Sequence, residues 1–132
     1  MSLTSHRILV VDDDPDIGIM IKIMLEFHGY LVDVTTKGKA AIDIIRSGNF
    51  GLLIMDMLLS GVNGVDICAL IKKDKIISSL PVIMISAHPN AKEICLNAGA
   101  DDFVSKPFDI EELLSKSSQL FLHKIKIQQT QI

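Results

Sequence analysis

The sequence predicts an α/β fold, a parallel sheet of five strands with five helices packed on both of its faces. Three observations predict it. Short apolar runs alternate five times with stretches whose apolar residues recur at helical spacing. The runs are almost uninterrupted in their hydrophobicity, as strands buried on both faces are. Three of them also end on a residue that can do chemistry: Ile8-Leu9-Val10-Val11 runs into Asp12, Leu52-Leu53-Ile54-Met55 into Asp56, and Val82-Ile83-Met84-Ile85 into Ser86.

The first strand is expected over residues 7 to 11. Pro15 then suits the first turn of a helix over residues 15 to 28, whose stripe is Ile17, Met20, Ile21, Met24 and Leu25. Asp14 and Asp16 beside it read as a helix cap and a first-turn acid. A second strand, 31 to 35, follows Gly29. Ala41, Ile44 and Ile45 mark the second helix, and Gly48 separates it from the third strand, 51 to 55. After Asp56 the segment Ser60-Gly61-Val62-Asn63-Gly64 is polar and flexible. Ile67, Leu70 and Ile71 mark the third helix, which leads to the strand 81 to 85. Ala91, Ile94, Cys95 and Ala98 mark the fourth, and Gly99 precedes the last strand, 101 to 104. Gly29, Gly48 and Gly99 each sit where a residue free to take positive φ ends a helix. The fifth helix carries Ile110, Leu113, Leu114 and Phe121, and beyond Leu122 the stripe fades into a tail or the start of a linker. The chain therefore reads as one domain over 1 to 132, with its core in about 6 to 122.

Composition fits this reading. A chain of 132 residues is long enough to bury about two thirds of its unfolded surface. Hydrophobic residues make up 48%, with five Phe and one Tyr as the only aromatics, so the core is aliphatic. A net charge of −3 gives no electrostatic case for direct nucleic-acid binding. No apolar run approaches the roughly 18 residues of a membrane span and no signal-peptide pattern is present, so a cytoplasmic location away from membranes is expected. Cys68 and Cys95 lack metal or disulfide spacing and read as reduced packing residues. His6, His28, His88 and His123 are too scattered to form a metal cluster, and only His88 falls near the proposed chemistry.

In an open parallel sheet, ligands bind beyond the carboxyl ends of the strands. Asp12, Asp13, Asp56 and Ser86 converge there, and Lys106, just past the fifth strand and before Pro107, reaches the same place. Like charges ~4 Å apart repel by about 4 kcal/mol at an effective dielectric of roughly 20, so three carboxylates call for a cation. Oxygen ligands alone favour Mg²⁺, with Mn²⁺ as the alternative, held mainly by Asp13 and Asp56. A metal, a lysine, a hydroxyl and a carboxylate nucleophile together are equipment for phosphoryl transfer, with Asp56 becoming an aspartyl phosphate.

With these residues placed, the chain resembles the receiver domain of two-component response regulators over about residues 6 to 122. The resemblance is carried by Val11-Asp12-Asp13, Met55-Asp56, Ile85-Ser86-Ala87 and Ser105-Lys106-Pro107, in this order on these strands. It implies a flavodoxin-like doubly wound sheet of strand order 2-1-3-4-5. It implies Asp56 as phosphoacceptor, with Lys106 and Ser86 as the catalytic partners. Asp13 would be a direct Mg²⁺ ligand, Asp12 a ligand acting largely through water, and Leu58 a ligand through its backbone carbonyl. Ser86 and Phe103 would be the switch residues, and the Lys106-Pro107 bond would be cis. The phosphoryl donor would be a phosphohistidine on a sensor histidine kinase or a histidine phosphotransfer protein. The chain would not be a conventional enzyme, although it would catalyse its own phosphorylation and dephosphorylation. The fourth helix, fifth strand and fifth helix, about 90 to 122, would then change surface towards a downstream effector protein or domain, with room for a homodimer on phosphorylation.

Some positions depart from the family pattern. Ser60 stands where proline is common, and Phe103 lacks the hydroxyl of the commoner tyrosine. Leu58 and His88 flank the acceptor, and an apolar Leu58 is expected to hinder attacking water. Lys92, Glu93, Glu111, Glu112 and Lys116 read as a solvated charged face, with Asp101 and Asp102 nearby, and the absence of arginine from the fifth helix weakens a dimer reading. Two other functions fit parts of the pattern. One is a docking module that keeps the fold without phosphorylation; the other, a metal-dependent phosphatase working through an aspartyl phosphate, lacks a segment to serve as a substrate cap.

Overall fold

The computed structural model describes the backbone of residues 6–130 and the side chains of residues 6–123. Residues 1–5 and 131–132, which the expected domain also includes, lie outside the described residues.

Strand β1 (Arg7–Val11) leads into helix α1 (Pro15–Phe27), whose first turn is closed by Asp14, its carboxylate accepting from the Asp16 amide at 3.0 Å. Then come β2 (Leu31–Thr35), a single 3₁₀ turn (Gly38–Ala40), α2 (Ala41–Ser47) and β3 (Leu52–Asp56). A short hairpin of β4 (Leu58–Leu59) and β5 (Val62–Asn63) precedes α3 (Gly64–Lys73), which Asn63 caps through the Val65 amide at 2.9 Å. The chain continues through β6 (Val82–Ser86), α4 (Ala91–Asn97), β7 (Asp102–Ser105) and α5 (Ile110–Thr130).

The main sheet is parallel, in the order β2-β1-β3-β6-β7. Because successive strand residues point to opposite faces, each apolar run feeds two cores. Leu9, Val11, Leu53, Met55, Val82 and Met84 pack with Ala41, Ile45, Ile67, Cys68, Ile71 and Cys95, so α2, α3 and α4 cover one face. Ile8, Val10, Leu52, Ile54, Ile83 and Ile85 pack with Ile21, Leu25, Leu113 and Phe121, so α1 and α5 cover the other. Each such aliphatic side chain contributes about 1.5–3 kcal/mol when fully buried.

The structure corrects three details. The fading tail is helix: α5 runs on to Thr130, since no glycine or proline stands in 110 to 130 to stop it. Gly29 and Gly99 do take positive φ, +95° and +105°, but Gly48 is extended at φ −111°. Gly48 instead answers to crowding, since a Cβ there would come within 2.4 Å of the Phe50 ring. The polar segment after Asp56 is an ordered hairpin, turning at Gly61 with φ +77°.

Candidate functional site

Parallel strands bring their carboxyl ends to one edge of the sheet, and the register sets the chemistry side by side. Val11 pairs with Met55, so Asp12 follows β1 next to Asp56 at the end of β3. Asp56 pairs with Ile85 and Ser86 with Ser105, which brings Ser86 and Lys106 into the same row. The Lys106 amide donates to the Ser86 carbonyl at 3.0 Å and extends that row beyond the strands. The Lys106-Pro107 bond is cis.

Two of the carboxylates are buried, Asp12 at 2% and Asp56 at 8% exposure, while Asp13 is exposed. Oxygens of Asp12, Asp13 and Asp56 all lie within 4.8 Å of one another, the one group of three such ligands among the described residues. The Lys106 ammonium donates to Asp56 Oδ2 at 2.7 Å and lies 3.4 Å from Asp12 Oδ2. Backbone amides hold the other oxygens, Asp14 N on Asp12 Oδ1 at 2.9 Å and Leu58 N on Asp56 Oδ1 at 3.1 Å. Burial pushes the Asp12 carboxyl above its usual range, and the Asp56 charge adds to that, against the Asp14 amide and Lys106. Burial works against the charge on Lys106, but the hydrogen bond and charge of Asp56, joined by Asp12, hold its ammonium above the usual lysine value. The pocket is thus a balance of negative groups around one cation. Its side-chain ligands are all oxygen, which suits a hard divalent ion such as Mg²⁺ better than zinc, with its preference for nitrogen and sulfur.

Ser86 is buried at the end of β6, its hydroxyl accepting from the His88 amide at 3.0 Å. Leu58 turns its amide to Asp56, and its side chain is exposed. Phe103 is not at the cluster. It is buried in the core that α2, α3 and α4 cover, and its carbonyl accepts from Lys116 at 2.5 Å. The His88 side chain is exposed, with Nδ1 accepting from the Asn90 amide at 3.2 Å. Of the charged face, Lys116 pairs with Asp102 at 3.3 Å and lies 3.9 Å from Glu112, while nearby Asp101 pairs with Lys72 at 2.8 Å.

Two site features escape a reading of motifs. The Ser60 hydroxyl donates to Asp13 Oδ2 at 2.8 Å, joining the loop after β3 to the loop after β1. Gly64 lies so close to the Asp56 backbone that a Cβ would fall 2.4 Å from its carbonyl oxygen. The signal for Ser60 was its place four residues after Asp56, on the same edge of the sheet.

The family model described as response regulator receiver domain matches residues 8–118. The DNA-binding response regulator MtrA of Mycolicibacterium smegmatis is 36% identical over 118 residues, covering 88% of this chain and 50% of MtrA. The response regulator ArlR of Staphylococcus epidermidis is 38% identical over 112 residues, covering 83% of this chain and 50% of ArlR. The chain spans about half the length of these curated relatives. A crystal structure of a putative response regulator from Chloroflexus aurantiacus matches with a TM-score of 0.84 at 30% identity, covering 89% of this chain and 98% of that one.

Proposed function

The chain belongs to the response regulator receiver family, and from that premise we propose that it is a phosphoacceptor switch in which Asp56 takes a phosphoryl group from a phosphohistidine. One observation carries the reading: a lysine ammonium bridges two buried carboxylates beside a third, at the carboxyl edge of the sheet. The donor is a sensor histidine kinase or a histidine phosphotransfer protein. A carboxylate oxygen of Asp56 attacks phosphorus in line, and the P–N bond to the imidazole breaks. The bonding pair stays on the ring nitrogen, and the donor ring, protonated on its other nitrogen, leaves as neutral imidazole. Lys106, already on Asp56 Oδ2, passes to a phosphoryl oxygen as charge builds there. Ser86 donates its hydroxyl to another. Asp13 and Asp56, with Asp12 through water and the Leu58 carbonyl, are the groups that would hold Mg²⁺ or Mn²⁺, which when bound offsets the charge on the phosphoryl oxygens.

The switch then works through populations. Drawing Ser86 towards the phosphoryl group biases the surface of α4, β7 and α5, where Phe103 and Lys116 already tie β7 to α5. A downstream effector protein or domain reads that surface, and a homodimer of the phosphorylated chain is one form the readout takes.

Intact mass after incubation with Mg²⁺ and acetyl phosphate tests the proposal. Wild type should gain about 80 Da, one phosphoryl group, while Asp56→Asn and a metal-free control should gain nothing. Absence of an adduct together with absence of beryllofluoride binding would leave the fold as a docking module only.

A further inference from the structure

Ser60 occupies the first of the two turn residues that close the β4–β5 hairpin, between the paired Leu59 and Val62. Gly61, the second, has φ +77°. A positive φ there is the type II pattern, in which proline is favoured at the first position because it fixes φ in advance. Serine gives up that stiffening and places a hydroxyl at the turn instead. The hydroxyl is used: it donates to Asp13 Oδ2 at 2.8 Å across 47 residues of sequence.

Asp13 differs from its two neighbours in what holds it. Asp12 and Asp56 are buried and fixed by backbone amides and by Lys106. Asp13 is exposed, and among the described residues the Ser60 hydroxyl is the side-chain donor on it. An exposed carboxylate samples several rotamers and loses that freedom when it binds a cation. A donor on one oxygen selects a rotamer beforehand and leaves the second oxygen available. Hydrogen-bond partners of metal ligands act in this way at many metal sites.

We propose that Ser60 is a positioning residue for the cation site, acting through Asp13, and that it sets how tightly this chain holds Mg²⁺. The proposal rests on the phosphoacceptor reading above. It makes the hydroxyl, and not the stiffness of the turn, the property that matters at this position.

Mg²⁺ titrations of the full chain by calorimetry, with thermal melts over the same Mg²⁺ range, separate the two. Ser60→Ala and Ser60→Pro should both bind Mg²⁺ about tenfold more weakly, while Ser60→Thr, which keeps the hydroxyl, should stay within roughly twofold of wild type. Acetyl phosphate labelling of Ser60→Ala should return to the wild-type rate at saturating Mg²⁺, since only the affinity has changed. Wild-type affinity in Ser60→Ala would overturn the proposal. So would wild-type affinity in Ser60→Pro alongside weak binding in Ser60→Ala, which would assign the effect to turn stiffness. If the wild-type chain itself shows neither heat nor a melting shift with Mg²⁺, the phosphoacceptor reading fails and this proposal fails with it. That result is distinct from a wild type that binds and an alanine variant that binds equally.

Discussion

Lys106 carries the only positive charge that the described contacts place on the buried pair Asp12 and Asp56, so its removal tests how the pocket is balanced. Breaking a buried ion pair by deleting one partner costs about 3–5 kcal/mol, and because Lys106 is partly exposed, Lys106→Met should lose only about 1–2 kcal/mol of stability without metal. Mg²⁺ should restore more stability to this variant than it adds to wild type, because the ion takes over the neutralising role. Paired thermal melts with and without Mg²⁺ check this, and an equal metal-induced shift in the two proteins would contradict it. Labelling by acetyl phosphate should also fall sharply, as the phosphoryl oxygens lose a cation. At this scale the sequence was most legible where chemistry ends an apolar run: Asp12, Asp56 and Ser86 could be placed because a strand leads into each. Lys106 was legible through its place past the fifth run. Ser60 was not legible in its role, because a hydroxyl reaching between two loops leaves no periodic trace.

Among the elements, the join between β3 and α3 carries the tightest constraint on the site. The Gly64 amide donates to the Met57 carbonyl at 2.8 Å, and a Cβ at Gly64 would lie 2.4 Å from the Asp56 carbonyl oxygen and 2.9 Å from that of Met57. Both obstacles are backbone, which cannot swing aside as a side chain can. Gly64→Ala should therefore shift the Asp56 backbone, costing about 1–3 kcal/mol of stability and slowing phosphoryl uptake by about tenfold or more. Gly29→Ala is the matched control. Its φ of +95° makes alanine strained by about 1–2 kcal/mol, yet nothing lies within 4 Å of its Cβ and it sits at the opposite edge of the sheet, before β2. Melting temperature and the acetyl phosphate rate, measured on both, should show similar losses of stability but a loss of rate in Gly64→Ala alone. Equal rates would mean that the Asp56 loop absorbs the change. The same contrast explains which elements could be read in advance. The helices showed their period and the long strands their unbroken apolar runs, whereas two-residue strands such as β4 and β5 are too short to show either. The end of α5 was missed because the apolar stripe fades before the helix does.

Across the whole molecule, the site sits at the edge of a sheet packed on both faces by a core, and two cysteines in one of those cores report on whether the fold opens as a unit. Cys68 on α3 and Cys95 on α4 are both fully buried in the same core, and Cys68 Sγ lies 3.8 Å from the Ala98 carbonyl. Burial pushes the Cys68 thiol up to about 11 and raises Cys95 as well. The thiolate is the reactive form, so the folded chain shields both sulfurs twice, by access and by protonation. Labelling by a thiol reagent at pH 8 should then be far slower in the native protein than in urea, at a rate set by opening of the fold. Mg²⁺ should slow it further, because an ion that binds only the folded site lowers the population of open chains. The alkaline limb follows from the same burial. An unfolded thiol loses its proton near about pH 8.5, whereas folded Cys68 keeps its proton to about 11. Through that window the unfolded chain binds fewer protons, so stability falls as pH rises. Cys68→Ala should cost stability at neutral pH by leaving a small cavity, and it should also flatten the decline between those two pH values. Melts of wild type and variant across the window, with native labelling rates alongside, decide the matter. Native labelling as fast as in urea, or an alkaline decline unchanged in Cys68→Ala, would show that the α3–α4 core opens independently of the fold or that another group governs the high-pH limb.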